Sequence, residues 1–532
     1  MDVEPVRDQC VPCGSIGNLA ARSGFTAALV LVLVPGGPAV HAAERVDARV
    51  TVDTTAVVRV VDGRFFGLNA TIWDEAFATP QTAALLAAAG TRVLRFPGGS
   101  LSDEYHWKTN TTLGNTWTWA TDFDAFARVA VALNSAVYIT VNYGSGTPEE
   151  GAEWVAYANV TRRYGFKFWE IGNESYGLWE TDLQEVRNDP YTYAVRARDY
   201  IAQMKAADPT IRVGVVVITG EDSYVNNLRH PVTNPRTGRV HNGWTPVLLA
   251  TLRSLGVTPD FAVYHRYEQA PGVESDAALL QSARTWPDDA HDLRQQLTDY
   301  LGPAGAGVEL VVTENNSVHS DPGKQTTSLV NGLFLADSVG NILQTEFNVL
   351  LWWDVRNSQL KGNNNGDALY GWRPYGDYGV ISTASTFGSS TSFEPYPTYY
   401  VAKLLSRWAR GGDLVIRAQS DHALLSVFAA RTNTGSLKLL AINKSPTIAL
   451  TASLNLGTFD PNRTATVCSY GIPQDEAART GNGPGDLASS TLEIPGAAFS
   501  ATFAPYSATV LSLQPRDPQR IVRRVLRRPG TP

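Results

Sequence analysis

Between residues 44 and 62 apolar and polar side chains alternate, with Val46, Ala48, Val50 and Val52 on one face, the period-two pattern of a half-buried strand. From Gly63 the pattern changes. Short runs of β-branched and aromatic residues at 64–69, 91–96, 136–142, 167–172, 212–218, 260–265, 309–314 and 348–353 predict strands. Between them lie amphipathic or alanine-rich stretches at 80–89, 122–133, 149–164, 190–207, 246–255, 288–301 and 324–343, with 397–409 after the last strand, and these predict helices. Strand–helix alternation over residues 63–410 predicts parallel strands with helical crossovers. A closed (β/α)8 TIM barrel is the natural solution, and a doubly wound open sheet is the alternative. No G-x-G-x-x-G follows the first strand and no Walker-type motif occurs, so nucleotide binding has no support.

At Gly411 the period returns to two. Runs at 413–418, 424–430, 437–442, 448–454, 465–470, 491–494 and 508–513 predict an antiparallel β-sandwich domain over residues 411–515. Residues 44–62 are expected to add a strand to it, because a domain's two ends commonly lie close together. The connection from Asp354 to Pro397 is long and rich in Asn and Gly. Placed after the eighth strand, it is expected to lie over the active face of the barrel.

The ends of the chain change the picture in one respect. Residues 25–34 form an apolar run preceded by Arg22 and followed by the small residues around Val40-His41-Ala42-Ala43, the layout of a secretory signal peptide occupying residues 1–43. The run is too short to span a bilayer, and an extracellular protein is expected once the leader is removed, with no membrane partner. Residues 516–532 carry Arg520, Arg523, Arg524, Arg527 and Arg528 and read as a basic, disordered tail.

Apolar residues make up 43% of the 532 and charged residues 18%, enough for a substantial core. The net charge of −7 argues against a nucleic-acid partner. The three cysteines do not form a disulfide framework. Cys10 and Cys13 lack the second pair a zinc site needs, and Cys468 reads as a buried apolar residue. No metal or other cofactor is expected.

Two places carry candidate chemistry. The run Phe166 to Ile171 ends in Gly172-Asn173-Glu174, and the run from Glu309 ends in Thr313-Glu314-Asn315. A carboxylate just past the C-terminal end of a barrel strand is where such enzymes keep their reacting groups. Two of them, each beside an Asn, suggest the paired acids of glycoside hydrolysis, one protonating the leaving oxygen and one attacking. The first must hold a proton near neutral pH, and burial beside a negative charge is expected to raise its pKa. Asn173 offers an amide to a sugar hydroxyl. His265 and Tyr267 end the sixth strand, Trp353 the eighth. Arg95-Phe96-Pro97-Gly98-Gly99-Ser100 makes a tight turn after the second strand. Asn69 and Trp73 follow the first strand and Asn142 the third. Asn69, Trp73, Ser100, Asn142, Asn173, His265, Tyr267 and Trp353 are the expected substrate contacts.

The ordered motifs RFPGG, VNYGSG, WEIGNE, YHRY, VTEN and LWWD resemble the α-L-arabinofuranosidases of glycoside hydrolase family 51, retaining barrel glycosidases of clan A, over roughly residues 63 to 408. The resemblance implies Glu174 as acid/base, Glu314 as nucleophile, and Asn173, His265 and Tyr267 as substrate contacts. It implies an arabinose-containing oligo- or polysaccharide as substrate. Two departures touch the sugar subsite. The family usually has Asn where this chain has Ser100, and a sugar-binding Glu near the end of the first strand where this chain has Asn69. A β-xylosidase or β-glucuronidase of the same clan, or a carbohydrate-binding protein without catalysis, remains the alternative.

Overall fold

In the computed structural model, which describes residues 47–383 and 393–517, the chain first forms strand β1 (Ala48–Val60), whose inward residues Ala48, Val50 and Val52 are buried in strict alternation. The leader, with Cys10 and Cys13, and the basic tail beyond 517 lie outside the described residues.

Eight parallel strands then close a barrel. They are β2 (Phe66–Asn69), β3 (Val93–Phe96), β4 (Ala136–Val141), β5 (Phe168–Ile171), β6 (Arg212–Val216), and, after the small hairpin β7 (Val232–Thr233) and β8 (Val240–His241), β9 (Phe261–Gln269), β10 (Glu309–Val318) and β11 (Leu350–Trp352). Strand β11 pairs with β2 to complete the ring. The strands are buried along almost their whole length, as expected where helices cover the outside and side chains fill the inside.

The outer helices begin where the sequence signals them. Thr79, Asp122, Thr147 and Asp189 accept N-terminal backbone hydrogens of the helices Pro80–Ala89, Phe123–Ala132, Pro148–Val155 and Pro190–Ala207, three of which open on proline. The expected helix at 324–343 is a short 3-10 turn, Lys324–Thr327, followed by the helix Leu329–Ile342. No helix among the described residues is long and apolar enough to cross a membrane.

The C-terminal strands are β12 (Leu414–Ser420), β13 (Leu425–Arg431), β14 (Leu437–Asn443), β15 (Leu450–Asn455), β16 (Pro461–Gly471), β17 (Ala488–Glu493), β18 (Ala498–Phe503) and β19 (Ser507–Pro515). With β1 they form one continuous nine-stranded sheet, curled over its own core. Strand β1 lies inside the sheet, antiparallel to β12 and parallel to β15, so the sheet is mixed. A helix, Ile472–Thr480, interrupts the strands where the period-two pattern gives way. Cys468, on β16, is half-buried rather than buried.

Alternation decides how the two cores divide. Along β14, Leu437, Leu439 and Ala441 pack inside the curled sheet, while Leu440 and Ile442 join the barrel's core. The connection from Asp354 is tied to the barrel rim and to the C-terminal domain. Asn364 Nδ2 donates to Glu274 at 2.8 Å, the Tyr370 N–H donates to Asp276 at 2.6 Å, and the Tyr370 hydroxyl donates to Asp475 at 3.1 Å.

Candidate active site

The C-terminal ends of β5 and β10 bring Glu174 and Glu314 to one mouth of the barrel. After β5 the backbone turns through Gly172 and Glu174, both at positive φ (71° and 41°). Asp103 braces this turn: its carboxylate accepts the N–H groups of Asn173 and Tyr143, each at 3.1 Å. Burial raises the Asp103 carboxyl to about 8. In β10 the pairing with β9 runs from Val312 opposite Tyr264 to Glu314 opposite His265, so Thr313 is an extra residue and the strand bulges there. Bulges re-aim side chains, and this one sets Glu314 beside His265.

The resulting geometry is a triad. One donor atom each from Glu174, His265 and Glu314 lies within 4.8 Å of the others. His265 Nδ1 is 3.0 Å from Glu174 Oε1 and 3.7 Å from Glu314 Oε2, while its Nε2 pairs with Thr313 Oγ1 at 2.9 Å. Such a set also suits a metal ion, but the protein already engages its atoms. Arg95 donates to Glu314 Oε1 at 2.7 Å, Tyr267 donates to Glu314 Oε2 at 2.6 Å, and Trp179 donates to Glu174 Oε2 at 3.2 Å.

Glu174 departs from expectation in its proton affinity. Burial works to raise its pKa, yet the hydrogen bond and charge of His265, with smaller help from Trp179 and Tyr176, bring it below the usual carboxylate value. Glu174 Oε1 and His265 Nδ1 face each other across a single hydrogen bond.

Behind the triad lies a polar layer that the sequence reading passed over. Arg95, fully buried, donates from Nε to Glu170, from Nη1 to Asn69 and Glu314, and from Nη2 to Asn173 Oδ1 at 2.9 Å. A charge inside the otherwise apolar Val93-Leu94-Arg95-Phe96 was the available signal, because a buried guanidinium requires partners. Glu180 also went unnoticed. It accepts from Ser100 and Asn173, and burial beside Asp103 and Glu174 raises its carboxyl to about 9.

Several expected contacts stand at the mouth. Trp353 packs with Trp73, Tyr267, Val318 and Tyr378, its ring 6.2 Å from that of Trp73 in an edge-on pair. Gly98 and Gly99 lie against the Trp353 ring, where a Cβ on Gly99 would fall 2.5 Å from it. Trp352, one residue earlier, turns the other way, with its ring 5.9 Å from that of Phe334 in the helix Leu329–Ile342. Ser100 is exposed and gives its hydroxyl to Glu180.

Two expectations are corrected. Asn69 has no solvent exposure; its amide donates to the Thr313 and Trp352 carbonyls and its oxygen accepts from Arg95, so it belongs to the barrel wall. Asn142 uses its oxygen for the Ser145 and Gly146 N–H groups and its amide for Tyr105 and Ser145, so it holds a turn instead of a sugar.

No protein-family model matches the chain. Among curated proteins it is 28% identical over 177 residues to a protein from Aspergillus clavatus named probable alpha-L-arabinofuranosidase C, covering 27% of this chain and 34% of that one. It is 33% identical over 137 residues to an intracellular exo-alpha-L-arabinofuranosidase of Bacteroides ovatus, covering 20% of this chain and 27% of that one. The chain thus spans about a third of the length of the curated relatives it matches. Among solved structures, the α-L-arabinofuranosidase of Thermotoga maritima in complex with arabinose superposes with a TM-score of 0.65 at 17% identity, covering 88% of this chain and 99% of that one. That likeness fixes the fold as a barrel with a trailing β-domain. The similarity to α-L-arabinofuranosidases read from the motifs is therefore shared by the curated relatives, while the solved structures show the fold alone.

Proposed function

We propose that this chain is a retaining exo-glycosidase that releases terminal α-L-arabinofuranosyl residues from plant-type polysaccharides. The observation that carries the reading is the convergence of Glu174 and Glu314, with carboxylate oxygens no more than 4.8 Å apart at the C-terminal mouth of the barrel. Carboxyl groups this close leave no room for a water between the second carboxylate and the anomeric carbon, which favours double displacement over inversion. Glu314, held at both oxygens by Arg95 and Tyr267, attacks the anomeric carbon. The bond to the leaving oxygen breaks, and that oxygen takes a proton from Glu174. Glu174 then accepts a proton from water as the water displaces Glu314, and the sugar leaves with its original configuration. The depressed proton affinity of Glu174 suits its second task. For the first, the hydrogen shared with His265 is the adjacent supply. Trp353 and Trp73 offer an aromatic wall to the sugar.

The choice of sugar rests on the resemblance and on the names of the relatives, and an aryl-glycoside panel tests it. Turnover of aryl α-L-arabinofuranoside is expected; turnover of aryl β-xyloside alone overturns the sugar assignment, and binding to arabinan with hydrolysis of nothing overturns catalysis. Glu314→Ala is expected to abolish turnover. Glu174→Ala is expected to spare aryl substrates with good leaving groups far more than natural ones, since only the latter need the proton. Near-normal turnover by Glu314→Ala removes it as nucleophile. We also read residues 1–43 as an export signal, which the order of basic, apolar and small residues supports. N-terminal sequencing of the protein recovered outside producing cells tests this, and an intact leader refutes it.

A further inference from the structure

Two hydrogen bonds converge on one oxygen of Glu180. Asn173 Nδ2 donates to Oε1 at 3.0 Å and Ser100 Oγ donates to the same atom at 2.9 Å. The other face of the Asn173 amide is occupied by Arg95, whose Nη2 donates to Oδ1. A guanidinium only donates, so Arg95 fixes which end of the amide is oxygen, and the nitrogen must then face Glu180. That nitrogen carries two hydrogens. Glu180 takes one of them.

We propose that Glu180 is a positioning residue for the reaction, locking the Asn173 amide so that its remaining N–H meets the sugar hydroxyl next to the reacting carbon. This rests on the reading of Glu174 and Glu314 given above. Glu180 is 5% exposed, and its Oε2 is buried with no protein partner among the described residues. Burial, and after it the neighbouring acids Asp103, beneath the turn, and Glu174, in the site, keep its carboxyl protonated at neutral pH. An uncharged acid accepts from Asn173 without placing a third negative charge beside the two reacting carboxylates. Ser100 completes the arrangement by giving its hydroxyl to the same Glu180 oxygen.

A bond to that hydroxyl strengthens as the transition state forms, so its loss shows in kcat more than in KM. The test uses whichever aryl glycoside the wild-type protein hydrolyses in the panel above, so an error in the sugar leaves it intact; a wild type that hydrolyses none removes both proposals. Glu180→Ala is expected to lower kcat by about 10- to 100-fold with KM changed by less than about threefold, the scale of a misplaced contact. Glu180→Gln, whose carbonyl accepts the same two hydrogen bonds, is expected to stay within about threefold of wild type. Glu180→Asp keeps the acid, withdraws the acceptor by a methylene, and should fall as Glu180→Ala does; it serves if the alanine variant does not fold. Added to Asn173→Ala, Glu180→Asp should cost nothing further, because the two act through one contact. Equal damage by Gln and Asp, or additive losses in the double variant, overturns the proposal.

Discussion

Arg95 stands directly behind Glu314, with Nη1 2.7 Å from Oε1 and side-chain exposures of 0% and 5%. The same guanidinium holds Glu170 at 2.8 Å from Nε. One cation in a fixed fork thus neutralises two buried carboxylates and orients Asn173 as well. Lysine, a single point charge, has no such fork. Arg95→Met would leave both acids unpaired in the barrel interior. Removing one partner of a buried pair typically costs about 3–5 kcal/mol, and two stranded acids place the expected loss at or above that range. Urea denaturation should show a lowered midpoint with an unchanged slope, and turnover should be lost even where the variant is folded. A variant as stable as wild type contradicts this account of the barrel interior.

Replacing His265 should change how activity depends on pH. In the folded protein, burial pushes the Glu174 carboxyl up, and His265, joined by Trp179 and Tyr176, brings it below the usual value. A carboxyl with a lowered folded pKa contributes stability that is present above its unfolded value of about 4.3 and lost as the pH falls through the folded value. His265→Leu leaves the burial and removes the hydrogen bond and charge, so the folded pKa of Glu174 rises and the stability it contributes above about 4.3 shrinks. Glu174 also stays protonated to higher pH. The alkaline limb of the kcat/KM profile should therefore move upward even as the maximal rate falls. An unmoved limb would mean that Glu174 is not the group the profile reports.

The loop glycines give a third test. Gly99 sits at φ +67°, and a Cβ there would meet Trp353 Cη2 at 2.5 Å. Gly99→Ala carries backbone strain of roughly 1–3 kcal/mol and must push the indole from its place between Trp73 and Tyr267. The expected result is at least a tenfold fall in kcat/KM with a modest drop in melting temperature. Gly114→Ala, at similar φ but facing open space, is the control for strain alone and should leave activity intact. Equal effects at the two positions would mean that contact with the indole is irrelevant.

How much of this was legible in the sequence depends on what each residue had to reveal. Glu174 and Glu314 stood out because an acid ending an apolar strand run has few other uses, and the alternation of strands and helices left little besides a barrel. Asn69 and Asn142 looked the same in kind, each just past a strand, but residue type does not say which way a side chain turns. Their amides satisfy backbone groups that only the closed ring brings near, Thr313 and Trp352 for Asn69 and Tyr105 for Asn142. The bulge at Thr313 was also hidden, since the run Leu310-Val311-Val312-Thr313-Glu314 carries no glycine or other sign of an extra residue. The proton affinity of Glu174 was misjudged for a related reason. Burial was foreseeable from the strand, whereas the contact with His265 joins residues far apart in the chain.

The attachment of the β-domain to the barrel gives the last test. Lys444, just past β14, reaches Asp337 in the helix Leu329–Ile342 with Nζ 2.6 Å from Oδ2, and both side chains have no exposure. Asp337 Oδ1 has no hydrogen-bond partner among the described residues. Desolvating two ions costs more than their attraction returns unless the geometry is good, so the pair's net stabilisation is small while the cost of halving it is large. Lys444→Met should strand a carboxylate and lower stability by about 3–5 kcal/mol. Lys444→Met combined with Asp337→Leu should recover most of that loss, because an apolar pair of similar size suits the same space. Chemical denaturation of the three variants and wild type measures both numbers. Activity below the transition should be unchanged throughout, since neither residue touches the barrel mouth. Failure of the double variant to recover would show that the ion pair itself, and not the avoidance of a lone buried charge, holds the β-domain against the barrel.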